Sequence, residues 1–409
     1  MQKGLRNYLI ITGSYCAFTL TDGAIRMLVV LYFHLLGYSP LEVAMLFLFY
    51  EFFGIVTNLL GGWLGSRIGL NLTMHIGMAL QVLALAMLMV PDNLLSVAYV
   101  MFAQALSGIA KDLNKMSAKA SVKTLLPQQQ QSDGKLFKWI AIITGSKNTL
   151  KGVGFFLGAF LLQQFEFRGA LGILSGSLLM ALVVSIFLLP SGLGKSTSKQ
   201  KFSQVFSNSA AINWLSAARF FLFGARDIWF VVALPVYLYE VLQWDFTQVG
   251  SFLAAWVMAY GLVQSSAPKL LRRRQQQHIP DGHTAMQWAF ILSVFPMTIA
   301  AALYFDLQAE AVLTIGLIVF GFIFAINSAV HSYLIVAWSD HDKVSSNVGF
   351  YYMANAGGRL TGTVLSGALY QSVGLVGCLM VSSIFILLAA VLSIKLPIEG
   401  KEKENANAR

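Results

Sequence analysis

Apolar residues run along this chain in long, nearly unbroken blocks, not in the alternation of a strand or the single stripe of a surface helix. Twelve blocks come close to or exceed the roughly twenty residues that a helix needs to cross a bilayer. They cover residues 8–34, 41–60, 72–90, 94–118, 136–162, 169–189, 212–240, 247–268, 284–305, 310–337, 345–370 and 375–394. Polar turns separate them, among them Tyr38-Ser39-Pro40, Pro91-Asp92-Asn93, Pro127 with its glutamine run, and Pro280-Asp281-Gly282. The pattern predicts an all-α, polytopic membrane protein of twelve transmembrane helices. The longest polar connection, Ser191 to Ser209, divides the blocks into two sets of six. The predicted domains are an N-terminal six-helix bundle at 1–190, a linker at 191–211, a C-terminal bundle at 212–396 and a tail at 397–409. Asn7-Tyr8-Leu9 followed by Asp22, and Asn213-Trp214-Leu215 followed by Asp227 at a similar distance, suggest that one half duplicates the other.

Composition agrees. Of the 409 residues 57% are apolar and 11% charged, with a mean hydropathy of +0.68, against about 25% charged in a soluble domain. A net charge of +10 would point to nucleic acid in a soluble protein. Here it follows the membrane, and no nucleic-acid partner is expected. With the N-terminus placed in the cytoplasm, cytoplasmic ends and loops collect nineteen of the 28 Lys and Arg residues, and the outer loops collect Arg168 alone. That asymmetry predicts a multi-pass protein of the bacterial inner membrane with both termini cytoplasmic, and lipid as its surroundings. The first block has no small-residue cleavage site and reads as a retained helix. Cys16 and Cys378, near opposite ends of the chain, read as core residues. The six histidines are scattered without metal-ligand spacing, and no metal or cofactor is expected. His331, one turn after Asn327, reads as a polar core residue.

Eight basic residues remain inside the blocks: Arg26, Lys111, Lys115, Lys147, Lys151, Arg219, Arg226 and Arg359. Facing lipid, they would cost together about 20 to 28 kcal/mol, more than the roughly 5 to 15 kcal/mol of a typical fold's stability. They must face inward. Four acids accompany them, Asp22, Glu51, Asp112 and Asp227, so the interior has a surplus of positive charge suited to an anion. Lys147 and Lys151 lie at i,i+4 in the Gly-rich stretch TGSKNTLKGVGFFLG and share a helix face. The expected substrate contacts are Lys147, Lys151, Arg226 and Arg359, followed by Arg26, Lys111 and Arg219. Tyr351 and Asn355 join them on the face of Arg359. Lys111 and Lys115 fit both snorkelling to the cytoplasm and lining an inner vestibule. Asp22 and Arg26, in favourable i,i+4 order, fit an ion pair as well as a substrate contact. Arg226 and Asp227 should diverge by about 100°, one facing a cavity and the other a neighbouring helix. Glu51 fits a proton carrier or a partner for an arginine. Asp22, Glu51 and Asp227 are thus the expected proton-coupling or ion-pair residues.

GGWLGSRIGLN, residues 61–71, resembles the cytoplasmic loop motif of the major facilitator superfamily, with Gly62, Leu64, Arg67 and Gly69 in place and Ser66 where the motif has Asp. The resemblance implies that fold, and a conformational role for Gly62, Arg67 and Gly69. Four longer stretches are 19–65, 104–121, TGSKNTLKGVGFFLG and FLFGARDIWFVVALPVYL. They resemble the organoarsenical efflux permeases of bacterial arsenic-resistance gene clusters (the ArsJ family). What this resemblance implies is export of 1-arseno-3-phosphoglycerate, conferring arsenate resistance. The functional partner would be a glyceraldehyde-3-phosphate dehydrogenase that makes this ester from arsenate, and the permease would act as a monomer without being an enzyme itself. Charge and depth alone leave open an organophosphate/phosphate exchanger of the same fold and, more remotely, an integral-membrane enzyme acting on phosphate esters.

Overall fold

The computed structural model describes residues 2–68, 70–123, 133–189, 209–271, 280–339 and 344–398. Among these residues the regular structure is helical, apart from a 3-10 turn at Asp92–Leu94. The helices are α1 (Gln2–Leu35), α2 (Pro40–Leu46), α3 (Leu48–Ile68), α4 (Leu70–Met87), α5 (Val97–Lys123), α6 (Asp133–Leu188), α7 (Ala210–Phe230), α8 (Ala233–Glu240), α9 (Phe246–Leu270), α10 (Gly282–Tyr304), α11 (Ala309–Ala337) and α12 (Val344–Ser393).

Three of the predicted turns fall at helix boundaries and show why. Ser39 caps α2, accepting from the Glu42 amide while the Glu42 side chain returns to the Ser39 amide, with Pro40 at the first helical position. Asp281 and Thr284 build the equivalent reciprocal cap on α10. Pro91 to Leu94 forms the 3-10 turn. The Pro127 turn, nearly all of the 191–211 linker and most of the tail lie outside the described residues.

Two helices are longer than one crossing. α6 leaves helical geometry at Glu166 (φ 56°, ψ 179°) and α12 at Gly374 (φ 68°, ψ −169°). Each divides there into a first arm (133–165 and 344–373) and a second arm (167–188 and 375–393). The chain reverses at both points. Gly154 and Gly158 abut α1 near Leu20 and Ala24, Phe167 stacks on Tyr32, and the Leu188 carbonyl returns to Arg6. Gly358 and Gly362 likewise abut α7 at Phe220 and Gly224, and Phe385 comes back to Phe221. Eight stretches among the described residues are long and apolar enough to span a membrane, two of them 45 and 47 residues long. Those two fold back at Glu166 and Gly374. Counting them twice and adding α4 and α5 yields the twelve predicted crossings.

The chain forms two compact units, 1–129 with 150–204 and 235–255, and 130–149 with 205–234 and 256–409. In the first, α5 packs on α4, α3 and α1, and the first arm of α6 from 150 onward crosses α1. In the second, α7 packs along α12, and α10 bridges α11 and α12. The outward faces are apolar: Met180, Ile186 and Phe187 on α6, Ile315 and Ile318 on α11, and Ile384, Leu387 and Val391 on α12 are exposed. Charged side chains are buried behind them, which is the arrangement that a hydrocarbon solvent selects.

Some expectations need correcting. The 61–71 segment is not an open loop, because α3 continues as helix to Ile68 and α4 resumes at Leu70. Gly62 and Arg67 therefore stand on helical backbone, and Gly69 lies outside the described residues. The helix runs on through Gly61, Gly62 and Gly65 to Ile68, against their low helix propensity. Block 212–240 is interrupted at Val231–Val232, between α7 and α8, where the Ser366 hydroxyl accepts from the amides of Val232 (3.3 Å) and Ala233 (3.1 Å). Cys378 is buried as expected, but Cys16 is only partly so.

Candidate functional site

Small residues decide which side chains meet. In the first unit a Cβ at Gly158 would overlap the Ala24 carbonyl, and one at Gly108 the Tyr50 carbonyl. α1, α3, α5 and the first arm of α6 therefore approach backbone to backbone. Seven buried or nearly buried charged side chains sit on these faces. The Arg26 guanidinium donates to Glu51 (Nη2 to Oε1, 2.7 Å) and lies over the rings of Phe47 and Tyr50. Tyr50 donates its hydroxyl to Asp22 Oδ1 at 2.5 Å, and Lys151 Nζ stands 3.8 Å from Asp22 Oδ2. Lys111 Nζ lies 3.9 Å from Glu51 and 4.0 Å from Asp112, above the Tyr50 ring. Lys115 donates to Asn58 Oδ1 (3.0 Å) and Asp112 Oδ1 (3.3 Å). Gly54 leaves room for this, since a Cβ there would come within 3.2 Å of Asp112 Oδ2.

The second unit repeats the construction. A Cβ at Gly358 would overlap the Phe220 carbonyl, and Gly362 faces the Gly224 carbonyl just as closely. The crossing of α7 with α12 brings Arg359 Nε to Asp227 Oδ2 at 3.0 Å. Arg226 holds the other oxygen, with Nε at 2.7 Å and Nη2 at 2.5 Å from Oδ1. One fully buried carboxylate thus serves two guanidiniums. Asp22 with Lys151 and Asp227 with Arg359 are the same device, an acid on the first helix of a crossing and a cation on the helix that crosses it. They fall where the sequence correspondence of Asp22 and Asp227 puts them.

Arg219 differs. It is 4% exposed, and its polar partners among the described residues are neutral: Asn355 Oδ1 on Nε at 2.9 Å, and Ser328 Oγ on Nη1 at 3.1 Å. The rings of Phe223 (3.6 Å) and Tyr351 (5.1 Å) flank its charge. Ser328 also receives Tyr260 Oη (3.0 Å) and Gln264 Nε2 (3.2 Å), and Asn148 donates to Gln264 Oε1 at 2.7 Å.

Several sequence-based pairings resolve differently. Asp22 and Arg26 do not pair with each other, because Tyr50, Lys151 and Glu51 offer closer partners across helices. Arg226 and Asp227 do not diverge, because a guanidinium on three methylenes reaches back around its own helix. Asn355 and Tyr351, placed on the face of Arg359, engage Arg219 instead. Lys147 is partly buried in the second unit and Lys151 belongs to the first. Glu51 is an arginine's partner, and Asn327 and His331 are fully buried. The apolar pattern does not single out the polar cluster of Asn148, Tyr260, Gln264 and Ser328. The signal available was Tyr260 and Gln264 at i,i+4 inside an apolar block.

Among solved structures, the fold is similar to the human organic anion transporter MFSD10 (TETRAN), with a TM-score of 0.68, 14% identity, and 95% of this chain and 99% of that one covered. It is also similar to a bacterial homologue of the iron transporter ferroportin in an outward-facing state, with a TM-score of 0.65, 18% identity, and coverage of 94% and 98%. No curated protein sequence matches. The sequence profile of the Major Facilitator Superfamily matches residues 11–280, well over half of the chain. With its multi-pass helical fold, the chain therefore belongs to the Major Facilitator Superfamily and is a membrane transporter, not an enzyme.

Proposed function

We propose that this transporter exports an organic oxyanion from the cytoplasm across the bacterial inner membrane by alternating access, and that its cargo is 1-arseno-3-phosphoglycerate. The observation that carries the sign of the cargo is the distribution of buried charge. Four carboxylates are shared among six buried or partly buried cations: Glu51 between Arg26 and Lys111, Asp112 between Lys111 and Lys115, Asp22 with Lys151, and Asp227 between Arg226 and Arg359. Arg219 has none among the described residues. Sharing lowers the cost of burial without removing the surplus, and a multiply negative passenger offsets it. Fold likeness is silent on this point, since one similar structure is an organic anion transporter and the other a homologue of an iron transporter. Guanidinium groups suit the oxygens of phosphate and arsenate esters. Trivalent arsenic would call for clustered thiolates, whereas Cys16 and Cys378 belong to different units. With both termini cytoplasmic, an inside-negative potential drives each negative charge outward by about 2.3 kcal/mol per 100 mV.

The test uses cells stripped of their own arsenic exporters, grown in arsenate with this chain, with an arsenate-using glyceraldehyde-3-phosphate dehydrogenase, or with both. Resistance only when both are present is expected. Resistance that does not depend on the dehydrogenase, or none at normal membrane expression, overturns the cargo. The same charge pattern suits organophosphate/phosphate exchange. Everted vesicles accumulating labelled 3-phosphoglycerate only when preloaded with phosphate would establish that reading instead.

A further inference from the structure

The surroundings of Arg219 are buried and hold no opposing charge among the described residues. The Ser328 hydroxyl oxygen stands within hydrogen-bond distance of Arg219 Nη1 (3.1 Å), Tyr260 Oη (3.0 Å) and Gln264 Nε2 (3.2 Å), and the same Nη1 lies 3.5 Å from the Ser328 carbonyl oxygen. Ser328, Tyr260 and Gln264 are 0 to 5% exposed. Arg219 supplies the charge: its Nη2 has no partner among the described residues, and it faces no carboxylate among them. One turn beyond Ser328, fully buried His331 lies within reach of the Arg219 charge, and both its ring nitrogens lack a partner among the described residues. A cluster rich in donors, positively charged and dry lacks one thing, an acceptor carrying negative charge.

We infer that Arg219, Tyr260 and Gln264 form an oxyanion subsite within the second unit, where a tetrahedral phosphoryl or arsenyl head of the cargo takes the place that the Ser328 hydroxyl holds in its absence. This rests on the reading of the chain as an anion transporter and names where one anionic head is held. It is separate from the Arg226–Asp227–Arg359 clamp, where each guanidinium already has a carboxylate oxygen. The Tyr260 ring stacks on Trp256 at 5.9 Å, which fixes its hydroxyl in place before the anion arrives.

The experiment measures binding of inorganic phosphate and inorganic arsenate to the purified full-length chain in detergent, by calorimetry and by ligand-induced thermal stabilisation, with chloride and glycerol as controls. Saturable binding of both oxyanions and of neither control is expected. Tyr260→Phe keeps the ring stack and removes one hydrogen, and should weaken binding about tenfold. Gln264→Glu sets a carboxylate beside Arg219 and should abolish it. Ser328→Ala removes the internal competitor and should leave binding intact or tighter, where a purely structural role predicts loss. Wild-type affinity in both Tyr260→Phe and Gln264→Glu, with unliganded thermal transitions unchanged, overturns the subsite, as does the absence of phosphate binding to the native chain. If phosphate binding follows the expected order but arsenate resistance does not depend on the dehydrogenase, the proposed cargo falls and the subsite stands.

Discussion

Replacing Asp227 by Asn separates structural from functional charge most directly, because the substitution keeps shape and removes only the negative charge. Asp227 is fully buried and opposes both Arg226 and Arg359 through separate oxygens. Removing one partner of a buried ion pair costs about 3 to 5 kcal/mol, chiefly through the uncompensated charge left behind. Here two guanidiniums are left facing one neutral amide that can accept but not oppose them. The expected loss is therefore at the upper end of that range, and a fall of about 5 to 6 °C in the apparent melting temperature of the detergent-solubilised chain should follow. Arg226→Gln alone leaves Asp227 paired with Arg359 and should cost far less. The double variant, Asp227→Asn with Arg226→Gln, leaves one guanidinium charge without its carboxylate where Asp227→Asn alone leaves two, and should be more stable than the sum of the two single losses implies, by about 1 to 3 kcal/mol. Thermal unfolding of the four proteins at matched detergent concentration reads this directly. Strict additivity, or an Asp227→Asn protein that melts with the native one, would refute the claim that this carboxylate holds both arginines.

Three further outcomes follow from the backbone and the surface. Gly158→Ala must push α6 off the Ala24 carbonyl and should destabilise by roughly 1 to 3 kcal/mol, while Gly176→Ala, with open space around it, should be neutral or stabilising by up to about 1 kcal/mol; thermal unfolding of both distinguishes close packing from simple glycine entropy. Glu166 occupies a backbone region that only glycine adopts without strain, so Glu166→Gly should raise stability by about 1 kcal/mol or more and Gly374→Ala should lower it, read in the same assay. Asp92 accepts from Tyr32 (2.8 Å) and Arg168 (2.9 Å), but Asp92 and Arg168 are about half exposed, so Asp92→Asn should shift stability by less than about 1 kcal/mol.

The crossings were legible because lipid demands apolar length and tolerates little else, so twelve blocks translate into twelve spans with small errors at their ends. The break at Val231–Val232 was not. The signal in the block 212–240 is Pro235, which cannot bond back to the carbonyl of Val231, and the partner that satisfies the freed amides, Ser366, lies far along the chain. Hydropathy registers what faces lipid, whereas a break of this kind is set by what faces another helix. The extension of α3 to Ile68 is hidden for another reason, since the glycines at 61, 62 and 65 mark a helix end in sequence although the helix runs through them.

For the site, the sequence supplied the inventory of buried charge but not the pairing. Depth in an apolar block correctly marks Asp22, Arg26, Glu51, Lys111, Asp227 and Arg359 as inward-facing, because the penalty for facing lipid is large whatever the partner. Partner choice depends on which helices touch, and touching is decided by glycines such as Gly54, Gly108 and Gly358, which a count of charges ignores. That changes the ranking of the cations. A lysine or arginine conspicuous in sequence, such as Lys151 or Arg359, is conspicuous partly because the fold needs it opposite an aspartate. Arg219 ranked low from its sequence surroundings, yet it is the buried guanidinium whose described partners are all neutral. Neutral partners orient a guanidinium without opposing its charge, and that combination leaves it able to attract an anion that arrives and departs. A cation already matched by a carboxylate would have to surrender one partner to accept another, so transport selects the side chain that is held in position but left electrically unanswered.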